Sequence, residues 1–178
     1  MKSIIFLSIL LLFIGCNKPV HRNNKITKIE FARSGAWADF GASISIDSGL
    51  NYKYWGDYKS AKQKYFVGKI SKGFWDTLNI KLEGIKFKTV TLGTDRGCMD
   101  CEYYELIVHW ENRTKRILRN DSQPEDSVMS VFKWLDRSHN ILKLREVKDS
   151  IKFEDRTHFV LKQSIKSIKF PPPQNSNN

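Results

Sequence analysis

Two cysteines, Cys98 and Cys101, are the residues best placed by type and spacing to do chemistry. A C-x-x-C pair can form a disulfide, exchange thiols or supply two metal ligands. Redox exchange requires the first cysteine at a helix N-terminus, where the helix dipole lowers the thiol pKa. Here a strand-like segment, Tyr103–Trp110, follows the pair and holds the nearest further metal ligand, His109. The pair therefore predicts a structural disulfide, and the alternative is an exported enzyme or thiol redox protein that uses both cysteines.

Other candidate catalytic residues lack partners elsewhere in the sequence. Ser130 and Lys133 match the S-x-x-K motif of penicillin-recognising enzymes, but the chain has no SDN or KTG segment. Val131 and Phe132 between them indicate the core-facing side of a helix instead. The four histidines have no paired spacing: His21, His109, His139 and His158. We therefore predict no catalytic residue, no metal site and no cofactor.

A ligand-binding segment is predicted within residues 51–66, where aromatic residues alternate with lysines. Aromatic rings can stack on sugars, and lysines can hold acidic groups. The alternative is a pair of strands whose aromatic side chains pack inward while the lysines are solvated. The predicted ligand contacts are Tyr52, Lys53, Tyr54, Trp55 and Tyr58.

The charge of the chain favours anionic partners. Its 178 residues include 30 Lys and Arg against 19 Asp and Glu, a formal net charge of +11. Such an excess attracts nucleic acid, lipid headgroups or acidic polysaccharide. The hydrophobic fraction of 40% is too high for a disordered chain, and the length suits one domain with a sizeable core.

The N-terminus has the pattern of an export signal. Lys2 precedes an apolar run, Ile4–Ile14, of 11 residues. As a helix this run would span roughly 16 Å, about half the thickness of a bilayer core. It is typical of the apolar region of a secretory signal rather than of a membrane span. The run ends in Phe-Ile-Gly-Cys, which resembles the lipobox of bacterial lipoproteins, although Phe13 stands where leucine is usual. The alternative is an ordinary signal peptide that contains a cysteine.

The lipobox resemblance implies that Cys16 is lipidated and becomes the first residue of the mature protein. Residues 1–15 would then be the signal peptide, and residues 16–25 the lipidated cysteine and a polar tether. We expect lipid anchoring in the cell envelope, in the outer membrane in preference to the inner. An exported protein rarely meets nucleic acid, so the expected partners are the membrane and an anionic glycan, lipid or envelope protein. Export also favours a disulfide, because these compartments are oxidising.

Hydrophobic periodicity predicts the elements of the folded part. A meander of short strands precedes a helix whose apolar residues run from Phe74 to Leu82, with Gly84 as its stop signal. A hairpin then turns at residues 111–113. Ser122 and Glu125 fit a capping box before a second helix. That helix should bury one face, formed by Val128, Val131, Phe132 and Leu135.

These elements predict the α+β class: an antiparallel sheet of hairpins with about two helices packed on one face. The domain is expected over residues 26–147. Residues 148–170 would add strands or form an appendage, with strand patterns at 151–153 and 159–161. Residues 171–178 read as a disordered tail.

The order of motifs resembles an uncharacterised family of small lipoproteins and secreted domains with a Gly-Cys-x-Gly-x-Cys-Pro segment. The matching segment here is Ser34–Ser48, and the resemblance extends from Ile26 to Leu135. Where the family has two cysteines and a proline, this chain has Ala36, Phe40 and Gly41. No activity is assigned to the family. The resemblance therefore implies a fold and almost no function. Our leading interpretation is a membrane-anchored envelope lipoprotein that acts as a non-enzymatic binding or interaction module.

Overall fold

Seven strands form one antiparallel sheet in the computed structural model, which describes residues 25–35, 41–59, 62–91 and 101–154. In chain order the strands are β1 Ile26–Ser34, β2 Gly41–Asp47, β3 Asn51–Gly56, β4 Lys64–Lys69, β5 Tyr103–Trp110, β6 Arg113–Asn120 and β7 Arg145–Val147. Across the sheet they follow the order β6-β5-β1-β2-β3-β4-β7. The predicted meander and the predicted hairpin are both present.

The connection after β4 makes β1 a central strand. Instead of extending the meander, the chain returns so that β5 pairs antiparallel with β1. The β5–β6 hairpin therefore completes the sheet begun by β1–β4. The opposite edge is formed by β7, which pairs with β4 and which the sequence did not predict. The late strand predicted near Ile151 is not formed, and residues 159–161 lie outside the described residues.

Within the described ranges two α-helices accompany the sheet, α1 at Lys72–Gly84 and α2 at Ser127–Asp136. The side chain of Ser71 caps α1 by accepting a hydrogen bond from the Phe74 N–H. A 3₁₀ helix, Arg137–Ile141, continues directly from α2. The α+β class is confirmed by this sheet and these helices.

The cap of α2 differs from the predicted capping box. Asp126 Oδ1 accepts the hydrogen bond from the Met129 N–H at 2.9 Å, so the helix begins four residues later than Ser122 suggested. The Ser122 hydroxyl instead bonds Asn120 at 2.8 Å. An aspartate next to the first helical turn also complements the helix dipole, which favours this start.

The strand register divides the sheet side chains into two faces. Phe31 lies opposite Ile44 and Leu106, and these define the Phe31 face. Glu30 lies opposite Ser45 and Ile107, and these define the Glu30 face. Because successive strand residues point to opposite sides, each strand contributes to both faces.

The hydrophobic core lies on the Phe31 face. The ring of Phe132 in α2 packs against Phe31 with centroids 5.7 Å apart. From α1 the residues buried in the same core are Trp75, Leu78 and Leu82. The predicted core face of α2 is confirmed, since its buried residues include Val128, Val131, Phe132 and Leu135.

Candidate functional site

The tyrosines of β3 do not share a surface with its lysine, Lys53. Tyr52 and Tyr54 lie on the Phe31 face and are 0% and 1% exposed. Tyr58, after β3, is also buried, and its hydroxyl donates to the Leu142 carbonyl at 3.0 Å. Only Lys53 and Trp55 lie on the Glu30 face. The predicted five-residue ligand surface is therefore corrected: three of its members are core tyrosines, as expected when a strand alternates between two faces.

What remains of that surface is centred on Trp55. Its ring is half-buried and lies directly across the strand pair from Tyr65 of β4. A side chain at Gly41 would meet the Trp55 ring at 3.2 Å, so the indole packs over this glycine. Gly41 is the position where the resembling family has proline, whereas Ala36 and Phe40 lie outside the described residues. The indole therefore has a packing role at this position.

The centre of the Glu30 face is polar, but its charges are paired. Glu30 is 1% exposed and binds Lys28 Nζ at 2.7 Å. Lys28 also binds Glu154 at 2.7 Å, and the Glu154 N–H donates to Glu30. Beside them the buried Glu105 pairs with Arg116. Burial opposes the charge of Lys28, but its hydrogen bonds to Glu154 and Glu30 prevail and raise its pKa. This network stabilises the sheet and leaves little charge for a ligand.

A second paired group, the Arg33 cluster, consists of Arg33, Glu102, Tyr104 and Asp136. Arg33 Nε lies 3.1 Å from Asp136 Oδ1, and Nη1 lies 3.3 Å from Glu102 Oε1. The Tyr104 hydroxyl donates to Glu102 at 2.5 Å. Burial raises the pKa of the Asp136 carboxyl, against the opposing effect of Arg33. The cluster ties the end of α2 to β1 and to the entry of β5, which is a structural role.

The outer side of α2 carries a different kind of site, an open depression of about 460 Å³ that we call the α2 basin. This volume falls within the range of small-molecule pockets, roughly 300–1,000 Å³. The basin is lined by Glu125, Ser130, Lys133, Trp134, Arg137, Ser138 and Ile141.

Apolar contact in the α2 basin comes from Trp134 and Ile141. The Trp134 ring stacks on Phe74 of α1 with centroids 4.8 Å apart. Lys81 of α1 places its Nζ 5.3 Å from the same ring centroid, a cation–π contact. These contacts hold the half-buried indole in place. Ile141 is 73% exposed and is one of three exposed large hydrophobic residues in the described part of the protein, with Ile80 and Leu118.

The charges of the α2 basin are only partly compensated. Lys133 Nζ lies 3.1 Å from Glu125 Oε1, and both side chains are largely solvated. Arg137 is exposed and forms no ion pair with any described residue. One carboxylate thus faces two cations, so the basin suits a ligand that carries negative charge.

Ser130 and Lys133 of the S-x-x-K match both line this basin. Lys133 is paired with Glu125 in a solvated setting, which differs from the desolvated pocket of an activating lysine. Val131 and Phe132 are buried in the core, as predicted. The four residues therefore reflect the two sides of α2: Ser130 and Lys133 lie at the basin, and Val131 and Phe132 lie in the core.

Cys101 is 4% exposed and lies two residues before β5. Cys98 and Cys16 lie outside the described residues, so the disulfide and the lipid anchor remain predictions. His109 contacts Glu154 at 3.1 Å, and His139 stacks on Tyr54. Within the ranges that the structure describes, no group of three or more His, Cys, Asp or Glu could hold a metal ion.

The basin residues were missed because no local signal groups them. Lys133 and Arg137 are four residues apart, which places both on one side of a helix. That spacing could have identified a basic outer side of α2. Ile141 joins them only because the 3₁₀ helix continues from α2, and Trp134 is fixed by α1, more than 50 residues earlier in the chain.

The described helices are short: α1 has 13 residues and α2 has 10. None of the helices in the described ranges is both long and apolar enough to cross a membrane. Comparison of the chain with protein-family models, with curated proteins and with solved structures found no match.

Proposed function

We propose that this protein is a lipid-anchored envelope lipoprotein that acts as a non-enzymatic binding module and holds an anionic glycan in the α2 basin. The observation that carries the proposal is Arg137, which has no ion-pair partner among the described residues, beside the apolar surface of Trp134 and Ile141 in a concave site. Concavity excludes water from a ligand, and a few placed charges orient it.

The other charged groups support the basin by contrast. At the centre of the Glu30 face, buried carboxylates already hold Lys28 and Arg116, and in the Arg33 cluster half-buried Asp136 holds Arg33. Binding an anion to one of these cations would break an existing ion pair and leave its carboxylate uncompensated. At the basin an anion would instead gain contact with an exposed guanidinium. We also propose that α1 and α2 both cover the Phe31 face, so the basin lies on the outer surface of the helical layer.

Anchoring makes a weak site useful. A protein held on a surface by lipid on Cys16 meets surface glycans at a high effective concentration, so a modest affinity suffices for occupancy. The anchor itself is tested by intact-mass analysis of the native protein. We expect a lipid mass on Cys16 and loss of membrane association in Cys16→Ala. An unmodified Cys16 would overturn this part of the proposal.

The binding experiment uses the full chain in detergent micelles and a polyanionic glycan, with a neutral glycan of the same length as the control. Trp134→Ala should weaken binding about tenfold or more, because the apolar contact is lost without a change in charge. Trp55→Ala is the matched control, since it removes an indole from the other face of the sheet. The reverse order of effects would place the ligand at β3–β4, and binding that neither change affects would contradict the proposed site.

The thiol alternative makes a different prediction. Cys101 is buried, and a buried cysteine is a poor nucleophile. We expect Cys98 and Cys101 to form a structural disulfide whose small loop stabilises by only about 2 kcal/mol. An insulin-reduction assay should therefore show no turnover. Turnover that disappears in Cys98→Ala would favour the redox protein instead.

A further inference from the structure

We infer that the α2 basin recognises a sugar ring that carries both a carboxylate and free hydroxyls, as in a uronic acid; this ligand class rests on the proposed function. Three features of the basin support it in turn: an exposed guanidinium, an ion pair that remains open to solvent, and an apolar surface of limited size.

The guanidinium selects the acid. Arg137 follows directly on α2 and forms no ion pair with a described residue. Its planar group can donate two parallel hydrogen bonds to a carboxylate, a geometry that a lysine cannot reproduce. A carboxylate on the ligand would therefore pair with Arg137 in the way that Asp136 pairs with Arg33 elsewhere in the protein.

The Glu125–Lys133 pair selects hydroxyls. With their oxygen and nitrogen 3.1 Å apart, the two side chains offer an acceptor and a donor next to each other. A hydroxyl can use both, because it donates one hydrogen bond and accepts others. Ser130 adds a hydroxyl on the same side of the helix. At the ion pair itself a compact anion such as phosphate gains only from Lys133 and is repelled by Glu125, so this pair, and not the guanidinium of Arg137, disfavours phosphate.

The apolar surface and the size of the basin favour a ring over a long chain. Trp134 and Ile141 can pack against the C–H groups of a pyranose, whose face is apolar while its edge is polar. The volume of about 460 Å³ is near the lower end of ligand sites. One or two rings of a longer glycan would thus be held in the basin.

The test compares four probes on the full chain in detergent: digalacturonate, galactobiose as the neutral sugar, acetate and inorganic phosphate. We expect digalacturonate to bind at least about tenfold more tightly than each of the others, because only it satisfies both the guanidinium and the hydroxyl-binding pair. Arg137→Gln should remove most of that preference. Arg145→Gln, which changes the charge equally on the exposed edge strand β7, should alter the dissociation constant by less than about twofold.

Glu125→Ala decides between recognition and simple attraction, because alanine removes both the charge and the hydrogen-bond acceptor, whereas glutamine would keep an acceptor oxygen. If Glu125 accepts a ligand hydroxyl, its removal weakens digalacturonate binding while strengthening phosphate binding. If the basin is only a positive surface, both anions bind more tightly, and the inference is overturned while the proposed anionic site stands. If no anion binds in a way that depends on Trp134 or Arg137, the proposed site itself fails.

Discussion

The inner side of α2 faces the sheet with Phe132 and Asp136, whereas the outer side carries Trp134 and Lys133 and leads into Arg137. Each side combines an aromatic ring with charge. On the inner side the ring packs against Phe31 and the carboxylate forms an ion pair with a guanidinium, so each group has its partner within the fold. On the outer side the indole is half-buried and the arginine has no described partner.

This difference shows how to separate stabilising from binding residues when both are aromatic or charged. A buried group with its partner in place contributes to the free energy of unfolding. A solvated cation beside an apolar surface contributes little to stability, and its hydrogen-bond donors are accessible to a ligand. Changes on the inner side should therefore alter stability, and changes on the outer side should alter binding.

The largest effect is expected for Phe132→Ala. This side chain is fully buried and contacts the rings of Phe31 and Tyr104. Truncation leaves a cavity and should lower the free energy of unfolding by about 3–5 kcal/mol in urea denaturation. Ile141→Ala on the outer side, where the side chain is 73% exposed, should change it by less than about 0.5 kcal/mol. Equal losses of stability in the two variants would contradict the assignment of stability to the inner side of α2.

A smaller loss is expected for Arg33→Met, about 2 kcal/mol. The change leaves Asp136 and Glu102 without their cation, but both side chains of the Arg33–Asp136 pair keep about a quarter of their exposure, which moderates the cost. The double change Arg33→Met with Asp136→Leu should recover part of the loss, because no unpaired carboxylate then remains. Failure to recover any stability would mean that Arg33 acts mainly through Glu102.

On acidification the contributions of Asp136 and Glu154 to the free energy of unfolding should change in opposite directions. The pKa of Asp136 is raised in the folded protein, so its contribution to stability grows as the pH falls through that pKa. The hydrogen bond from Lys28 lowers the pKa of Glu154, so its contribution is present above the unfolded value of about 4.3 and is lost below it. Asp136→Asn should therefore steepen the loss of stability on acidification, and Glu154→Gln should make it shallower. Chemical denaturation at a series of pH values measures both slopes.

The smallest change in stability is expected for Arg137→Gln, less than about 0.5 kcal/mol, because an exposed cation that pairs with no residue in the described ranges contributes little to folding. The same change should weaken binding of the acidic glycan markedly. A single preparation can test both, by urea denaturation and by titration. A large loss of stability with unchanged binding would show that Arg137 has a structural role and does not contact the ligand.

Residue patterns alone were enough to predict individual strands and the core side of α2. Alternating apolar residues identified β2 and β3, because strand side chains alternate between faces. Helical spacing identified the core side of α2, since Val128, Val131, Phe132 and Leu135 recur with its period. The cap was missed because Ser122 and Asp126 are both good caps, and only the position of the preceding strand β6 determines which one starts the helix.

Tertiary structure decided which faces are covered and which residues meet. The pairing of β5 with β1 brings together segments about 70 residues apart, and no local pattern encodes such a contact. It also decided that Tyr52 and Tyr54 are core while Trp55 is not, because periodicity assigns them to different faces but cannot say which face is buried against helices. The α2 basin likewise exists only where α1 fixes Trp134 and the 3₁₀ helix adds Ile141, since a concave surface arises from packing and not from the order of residues in one segment.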